Sequence, residues 1–460
     1  MKRIHLTILG VLTLAALLVA GRCMSAGKAQ SFSIAWNYDT SGYLETCGCS
    51  SHQLGGLARR ATKIDQLRQA GPVLAIEGAH IVEDKGEFQL FKGQMIVAAL
   101  NMMDYGAMML GVREAQQGTE GIAKLVEGAK FPVFSANLQA KDSPWLQRFA
   151  TVEVGGTQVA ITGVSQPELV DFELGAGVSF SDPAQALEEV LPQMERAALK
   201  VICLEGQPVW IDQMIARYRG DADVFLSGNR QEGADLEFHA DPPRLNSFDR
   251  GRYMGLITVD RAPSGFSFTG MNLPLSDELA DAEPVQKLLD ETYKPQLKEK
   301  FFATFKGKLP QLFMPPEYCG DCHAKELAVY NTTNHAHALE TLEKKGQVYN
   351  PDCMKCHETY DPGEDKLMSM NCVTCHTNIT EDHVWQATED PKKVVKPEKP
   401  VTTYTYEWCV QCHDPLNSSN FKDHWPQYVN KIAHGGDLKP AQDAAKAMGI
   451  DMTEPPPAHE

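Results

Sequence analysis

Four C-x-x-C-H pentapeptides stand in the C-terminal part of this 460-residue chain. Their cysteine pairs and following histidines are Cys319, Cys322 and His323; Cys353, Cys356 and His357; Cys372, Cys375 and His376; and Cys409, Cys412 and His413. This spacing is typical of covalent c-type haem attachment, in which both thiols form thioethers and the histidine becomes the proximal iron ligand. Zinc explains it less well, because zinc knuckles need no histidine directly after every second cysteine. The repeat therefore predicts four covalently attached haem c groups.

A haem iron that transfers electrons usually has a second axial ligand, and the same segment contains spare histidines for that role. They are His335, His337, His383, His424 and His434. We predict that His335, His383 and His434 are distal ligands of the haem irons. The fourth distal ligand would be His337 or His424. An iron left open on its distal side would permit catalysis as well as electron relay.

The stretch from Tyr330 to Ala336 resembles the tetrahaem cytochromes linked to hydroxylamine oxidation, in which an aromatic-x-x-S/T-x-His-Ala pattern follows the first motif. The resemblance places His335 at the distal-ligand position of that family. It also implies that one of the four irons can lack a side-chain partner.

Charge and targeting signals restrict where this chain works. The 43 basic and 60 acidic residues give a net charge of −17, which argues against nucleic acid and anionic membranes as partners. Lys2 and Arg3, an apolar run and small residues near Ala26 form the pattern of a secretory signal peptide. Lipid attachment at Cys23 is a weaker alternative because Arg22 precedes it. We predict a periplasmic or otherwise exported protein, soluble after cleavage, with peripheral membrane contact at most.

A second group of reactive residues, Cys47 and Cys49, forms a C-G-C sequence after the first predicted strand. The carboxyl ends of strands are where α/β proteins place their sites. Three interpretations stay open: a redox-active dithiol, a structural disulfide within the pair or to Cys203, and a metal site that adds His52 and His80. A C-x-C disulfide is strained, and strained disulfides are the labile ones.

The N-terminal part alternates apolar runs with helical periodicity, which predicts a layered α/β sandwich. The predicted strands are Phe32–Tyr38, Val73–Ile76, Ala107–Leu110, Val133–Ala136, Val152–Val154, Thr157–Val164, Val201–Leu204, Asp223–Leu226, Tyr253–Asp260 and Gly265–Gly270. The predicted helices cover Leu57 to Leu67, Gln94–Met103, Ala184–Leu199 and, at the surface, Pro284–Lys300. The haem segment provides roughly thirty residues per haem, too few for an ordinary core, so the porphyrins must form it.

Several stretches look like the metallophosphoesterase domain of periplasmic 5′-nucleotidases, over roughly residues 32–270. They include Asp39 to Gly42, Gly55 to Arg60, Glu77–Gly78, Tyr105 to Ala107 and Phe131–Asn137. The resemblance implies a calcineurin-like metallophosphoesterase fold, an α+β layered sandwich, followed here by a mostly α, haem-packed tetrahaem cytochrome c domain.

That family binds two divalent metals through D-x-H, G-D, G-N-H-E, a lone His and G-H-x-H. This chain keeps Asp39, but Ser41 replaces the first histidine and Ala79 replaces the aspartate of G-D. Residues 111–114 read G-V-R-E, and residues 228–231 read G-N-R-Q. Two bridging metals are what make phosphate-ester hydrolysis feasible, so hydrolase activity is not expected.

The combination resembles nucleotidase-like proteins fused to multihaem cytochromes, some of which carry selenocysteine in the C-G-C segment. That resemblance makes Cys49 the chemically privileged position. We predict an exported tetrahaem cytochrome that transfers electrons to or from a Cys47/Cys49 redox site in a degenerate phosphoesterase-like domain. Its partners would be other redox proteins or cytochromes. The alternatives are an oxidoreductase that reduces a small-molecule substrate at the dithiol or an open haem iron and, less favoured, a periplasmic nucleotidase.

The predicted organisation has five parts. They are a signal peptide at 1–29, the phosphoesterase-like domain at 30–300, a linker at 301–317, the tetrahaem domain at 318–440 and a flexible tail at 441–460.

Overall fold

The computed structural model of the protein describes residues 31–47, 53–228, 237–247, 250–262, 265–311, 315–376, 379, 383, 404–414, 418, 420–435 and 437–456. These residues form two compact units. The first unit contains Arg60–Leu275 and the described residues before Leu44, and the second contains Leu44–Arg59 and the chain from Ser276 onward. The predicted signal peptide, Cys23, Cys49, His52, the G-N-R-Q stretch after Gly228 and the side chain of Cys47 lie outside the described residues.

Two sheets form the frame of the first unit. The larger has seven strands in the spatial order Gly265–Pro274, Tyr253–Ala262, Phe32–Asn37, Val73–Glu77, Ala107–Met109, Val133–Phe134 and Leu146–Gln147. The smaller has six in the order His239–Ala240, Pro243–Ser247, Val224–Gly228, Leu199–Glu205, Thr157–Ser165 and Phe149–Val154. A separate pair joins Leu138–Ala140 to Val178–Phe180. The central strands of both sheets are parallel, so their carboxyl ends line up along one edge of each sheet.

The inner faces of the two sheets share one apolar core. Ile34 and Trp36 of the larger sheet and Ile161 and Val201 of the smaller one are buried in the same cluster. Helices cover the outer face of the smaller sheet, where Leu187 and Ile215 pack against Ile202 and Phe225. The predicted layered α/β sandwich is thereby confirmed.

The helices of the sandwich differ from their predicted bounds mainly at prolines and caps. They are Leu57–Ala70, Glu87–Met102, Val112–Ala115, Gly118–Leu125, Pro183–Val190 and Pro208–Tyr218, with 3-10 turns at Pro167–Leu169 and Leu191–Met194. The predicted helix Ala184–Leu199 stops at Val190 because Pro192 lacks the N–H that would continue it.

The second unit is mainly helical. Its α-helices are Glu283–Leu288, Lys294–Gln296, Ala303–Phe305, Pro316–Gly320, Ala324–Tyr330, Ala338–Lys345, Pro351–His357, Cys372–Cys375, Tyr406–Cys409, Phe421–Ile432 and Lys439–Met448. Its 3-10 turns are Lys306–Lys308 and Asn334–His337, and its strand pairs are Thr46–Cys47 with Leu54–Gly55 and Glu358–Asp361 with Lys366–Ser369. Helical turns thus extend into the predicted linker at 301–317.

The stretch predicted as a surface helix at Pro284–Lys300 buries a row of side chains instead. Val285, Leu289, Tyr293, Leu297 and Phe301 are buried and recur every four residues. An α-helix turns every 3.6 residues, so such a row would drift around it. Two π-helical stretches, at 289–293 and 297–302, widen the turn and keep the row on one side.

The predicted flexible tail at 441–460 also differs from the structure. Lys439–Met448 is a helix that ends at Gly449 in the left-handed conformation that glycine favours. Ala441 and Ala445 are buried, and Ala441 packs with Tyr404 and Trp425. Burial of this small-residue face therefore orders the first half of the tail.

Candidate haem centre and strand-end site

Three of the four proximal histidines lie opposite a predicted distal histidine. The ring centres are 6.5 Å apart for His323 and His383, 5.9 Å for His335 and His413, and 5.9 Å for His376 and His434. The structure thus places each of the three predicted distal histidines opposite a predicted proximal histidine, each from a different attachment motif.

The spacing of these rings fits a haem iron. A metal bound on opposite sides by two imidazole nitrogens, with bonds of about 2 Å, separates the ring centres by about 6 Å. No disulfide joins any of the eight motif cysteines, so all of them can form thioether bonds. The residues present therefore fit covalently held, bis-histidyl haem at the first, third and fourth motifs.

Hydrogen bonds at Nδ1 orient several of these rings. Nδ1 of His357 lies 3.2 Å from the carbonyl oxygen of Ala338, Nδ1 of His434 lies 3.0 Å from that of Ile432, and Nδ1 of His413 lies 3.2 Å from the hydroxyl of Ser418. A ring that donates through Nδ1 keeps Nε2 free of a proton and able to bind metal.

Burial also favours the metal-binding form of these rings. It lowers the pKa of His335, His357 and His376, because a buried imidazolium loses its hydration. Metal binding requires the neutral imidazole, so this shift favours ligation.

Each attachment motif lies close to at least one other, and the third also lies within electrostatic range of the fourth. The thiols of Cys319 and Cys372 are within hydrogen-bonding reach of each other, and so are those of Cys356 and Cys412. The first motif therefore adjoins the third, and the second adjoins the fourth. Short separations of this kind are what a chain of redox centres needs to exchange electrons.

The two remaining histidines have other contacts. His337 is exposed, with Nδ1 2.9 Å from Glu340 Oε1 and Nε2 3.2 Å from the carbonyl oxygen of Asn331. His424 places Nδ1 3.1 Å from Gln427 Oε1. Both nitrogens of His337 are engaged, so His337 is the poorer candidate for the fourth distal ligand.

Sequence reasoning missed Glu358, which directly follows His357. The residue is completely buried, and among the described atoms its carboxylate oxygens have no hydrogen-bond partner. Burial raises the pKa of Glu358 to about 8. A glutamate after a haem motif carries no sequence signal of burial.

The second candidate site lies at the carboxyl ends of the parallel strands in the sandwich. Asp39 follows Phe32–Asn37, His80 follows Val73–Glu77, and Glu205 ends its own strand. Asp39 and His80, together with Ser41, have φ angles of 59°, 66° and 47°. Such left-handed backbone is unfavourable for these residue types and clusters at functional or formerly functional positions.

His80 occupies the centre of this strand-end site. Its Nε2 is 2.5 Å from Glu205 Oε1 and its Nδ1 is 3.4 Å from Asp39 Oδ1. Burial alone would lower the pKa of His80, but the carboxylates of Glu205 and Asp39 outweigh it and raise the pKa to about 9. The imidazole is therefore a buried cation at neutral pH.

Backbone groups hold the surrounding carboxylates. Glu114 accepts from the backbone N–H of Ile81 at 2.8 Å and of Gly111 at 3.0 Å, and Glu205 accepts from that of Val112 at 3.1 Å. A Cβ at Gly111 would lie 2.1 Å from Glu205 Oε2, so only glycine allows this approach. Burial raises the pKa of Glu114.

A buried ion pair supports the same edge. Arg60 Nη1 donates to Glu77 Oε2 at 2.8 Å, and Thr40 Oγ1 donates to Glu77 Oε1 at 2.5 Å. Both charged side chains are almost completely inaccessible. Arg60 is thus engaged within the sandwich.

The described side chains at this edge of the sandwich bind one another. Within the described ranges, no group of three or more His, Cys, Asp or Glu side chains is arranged to hold a metal ion. The hydroxyl of Ser41 donates to Asp39 at 2.6 Å, and a histidine side chain rather than an ion contacts both acids. Cys203, considered as a disulfide partner, is a free thiol buried in the core.

The cysteine pair predicted as a redox site lies in what we call the hairpin segment, Leu44–Arg59. Thr46–Cys47 pairs antiparallel with Leu54–Gly55. The segment belongs to the second unit, where Lys294 Nζ lies 2.9 Å from Glu45 Oε1 and Arg59 Nε lies 3.8 Å from Asp281 Oδ1.

Residues 318–413 match the protein family described as Cytochrome c554 and c-prime. The match covers all four C-x-x-C-H motifs. It assigns the haem segment to covalent haem c binding and a cytochrome electron-transfer role.

The N-terminal part is similar to 5′-nucleotidases. The human 5′-nucleotidase is 28% identical over 224 residues, which are 46% of this chain and 38% of the human protein. The snake venom 5′-nucleotidase of Gloydius brevicauda is 31% identical over 185 residues, 38% of this chain and 32% of the venom protein. The chain thus spans less than two fifths of the length of these relatives.

Solved structures match over the same part. The sulfate thiohydrolase SoxB of Thermus thermophilus is 16% identical with a TM-score of 0.50, covering 60% of this chain and 62% of that one. The calcineurin-like phosphoesterase YfkN of Bacillus subtilis is 17% identical with a TM-score of 0.47, covering 59% and 98%. At such identity the likeness concerns the fold, which is the calcineurin-like α/β sandwich.

In the part of the chain that the structure describes, no helix is long and apolar enough to cross a membrane.

Proposed function

We propose that this protein is an exported tetrahaem c-type cytochrome that passes electrons to or from the Cys47/Cys49 pair. The observation that carries the proposal is the spacing of three histidine ring pairs, 5.9 to 6.5 Å between centres. When bound, each haem supplies one-electron exchange. His323, His357, His376 and His413 would hold the irons as proximal ligands, and His335, His383 and His434 would be the second ligands of three of them.

The cysteine pair would be a two-electron site beside these one-electron centres. Opening a Cys47–Cys49 disulfide breaks one S–S bond, takes up two electrons and two protons, and leaves two thiols. The hairpin segment belongs to the same compact unit as the haem motifs, which supports a redox role for the cysteine pair.

We propose further that the sandwich has lost phosphoesterase activity. The cation between Asp39 and Glu205 is the His80 side chain, which leaves no place for the two metals that bridge an attacking hydroxide. Phosphatase activity that depends on added divalent metal would contradict this. The alternative function is an oxidoreductase that reduces a small-molecule substrate at the dithiol. It predicts that Cys49→Ser abolishes turnover of that substrate and leaves the haem spectrum unchanged.

The test is a potentiometric titration of the wild type and the Cys47→Ser/Cys49→Ser variant, with thiol labelling at each potential. We expect labelling of both cysteines to appear only as the haems become reduced, and the variant to lose two electrons of capacity. Unlabelled cysteines and identical titrations would contradict the redox assignment. The matched control is Cys203→Ser, which changes a buried thiol outside the hairpin segment.

A further inference from the structure

The described residues of the hairpin segment are held on both sides of the cysteine pair by elements that also reach one haem motif. At the first end, Glu45 stands two residues before Cys47 and forms an ion pair with Lys294 at 2.9 Å. The neighbouring residue Tyr293 is 2% exposed and lies within electrostatic range of both Glu45 and Cys353. Cys353 is the first haem-binding cysteine of the second motif.

The other end leads to the same motif by a separate path. Lys345 Nζ donates to Gln53 Oε1 at 2.7 Å, and Thr46 Oγ1 donates to the same oxygen at 3.0 Å. Lys345 ends the helix Ala338–Lys345. The carbonyl oxygen of Ala338, at the start of this helix, lies 3.2 Å from Nδ1 of His357.

The helix therefore contacts the iron ligand and the hairpin segment at once. Thr341 Oγ1, one turn along it, lies 3.3 Å from Nδ1 of His357. The Lys345 ammonium is within electrostatic range of the His357 ring, while Lys344 acts on His337 instead. Contacts through this helix join the segment to His357, and the electrostatic range of Tyr293 takes in both Glu45 and Cys353.

We propose that the described residues on either side of the cysteine pair, 44–46 and 53–59, dock on the second haem motif, Cys353, Cys356 and His357. The docking stands on the contacts of Glu45, Gln53 and Lys345. The use of the second haem for electron exchange with this segment rests on the proposed function.

The test compares Lys345→Gln with Lys344→Gln in the haem-loaded full chain. Both lysines are exposed, so neither variant threatens folding. Removing a positive charge beside a haem disfavours its reduced form. We expect Lys345→Gln to lower the midpoint potential of one haem, reducing its ferrous fraction at the wild-type midpoint about twofold or more. Hydrogen exchange in peptides covering 44–59 should rise in the same variant, and Lys344→Gln should leave both quantities unchanged.

The affected haem is identified with Cys353→Ala/Cys356→Ala, which removes the second haem. The docking is supported if the shifted transition disappears in that variant. It is overturned if Lys345→Gln shifts no haem, if Lys344→Gln has the same effect, or if the shifted haem persists without Cys353 and Cys356. None of these readouts uses thiol chemistry, so a failed thiol titration would overturn the proposed function without touching the docking.

Discussion

In the sandwich, side chains from two sheets meet in one continuous apolar core, whereas the described residues of the second unit form smaller apolar clusters. The core of the sandwich includes Ile34, Trp36 and Val201, all almost inaccessible. The cluster around Tyr404 and Trp425 in the second unit is a fraction of that size. The comparison indicates that the sandwich buries enough apolar surface to be stable by itself. The haem unit depends on its prosthetic groups to complete its core.

The largest effect should follow from withholding haem. We expect the chain produced without haem attachment to lose hydrogen-exchange protection throughout 318–440, because the porphyrins are missing from its core. Hydrogen-exchange protection in Phe32–Asn37 and Leu199–Glu205 should persist. These strands belong to the two sheets that pack face to face around the apolar core of the sandwich. Equal protection of the two units in the haem-free chain would remove the basis of the comparison.

A smaller effect should follow from removing one distal ligand. His335→Ala deletes the ring that lies 5.9 Å from His413, and we expect one haem in four to change from low spin to high spin. The control is His337→Ala, because His337 is exposed and bound to Glu340. Electron paramagnetic resonance measures the spin state of the haems in both variants. A change to high spin in the control would identify His337 as the ligand.

The smallest effect should come from pH and act on the sandwich alone. The pKa of His80 is raised to about 9. The ion pairs of the His80 imidazolium therefore contribute fully to the free energy of unfolding below pH 6.5, and this contribution is lost as pH rises through 9. Linkage allows a loss of up to about 3 kcal/mol of unfolding free energy.

Denaturant-dependent hydrogen exchange of Phe32–Asn37 at pH 7 and pH 10 measures this loss. His80→Gln removes the titrating group and should make the difference much smaller, while haem spectra should not respond to the substitution. An equal pH dependence in wild type and variant would assign the effect to other buried groups such as Glu114 or Tyr105.

The parts of this protein that the sequence predicts well depend on short-range patterns. The C-x-x-C-H motifs need only local spacing, and strands such as Phe32–Asn37 and Val73–Glu77 follow from unbroken apolar runs. The distal candidates His335, His383 and His434 could be selected by composition. Which iron ligand each one faces could not, because that depends on how distant helices pack.

The strand-end site shows a different limit. The sequence suggested His80 as a possible metal ligand beside the cysteine pair, whereas its position depends on Glu205, which comes from the other sheet. A signal was present in the sequence, since His80 immediately follows the Gly78–Ala79 pair that replaces G-D. The row of buried residues from Val285 to Phe301 was likewise visible, but its four-residue period matches neither an α-helix nor a strand.

The position of His80 also determines what controls the charge of the strand-end site. A metal ion can be removed by a chelator, exchanged for a competitor or withheld by the environment. The imidazolium is part of the chain, so it is present as soon as the protein folds, and proton concentration alone sets its charge. A cation that is kept in this way does not depend on the supply of divalent metals around the protein.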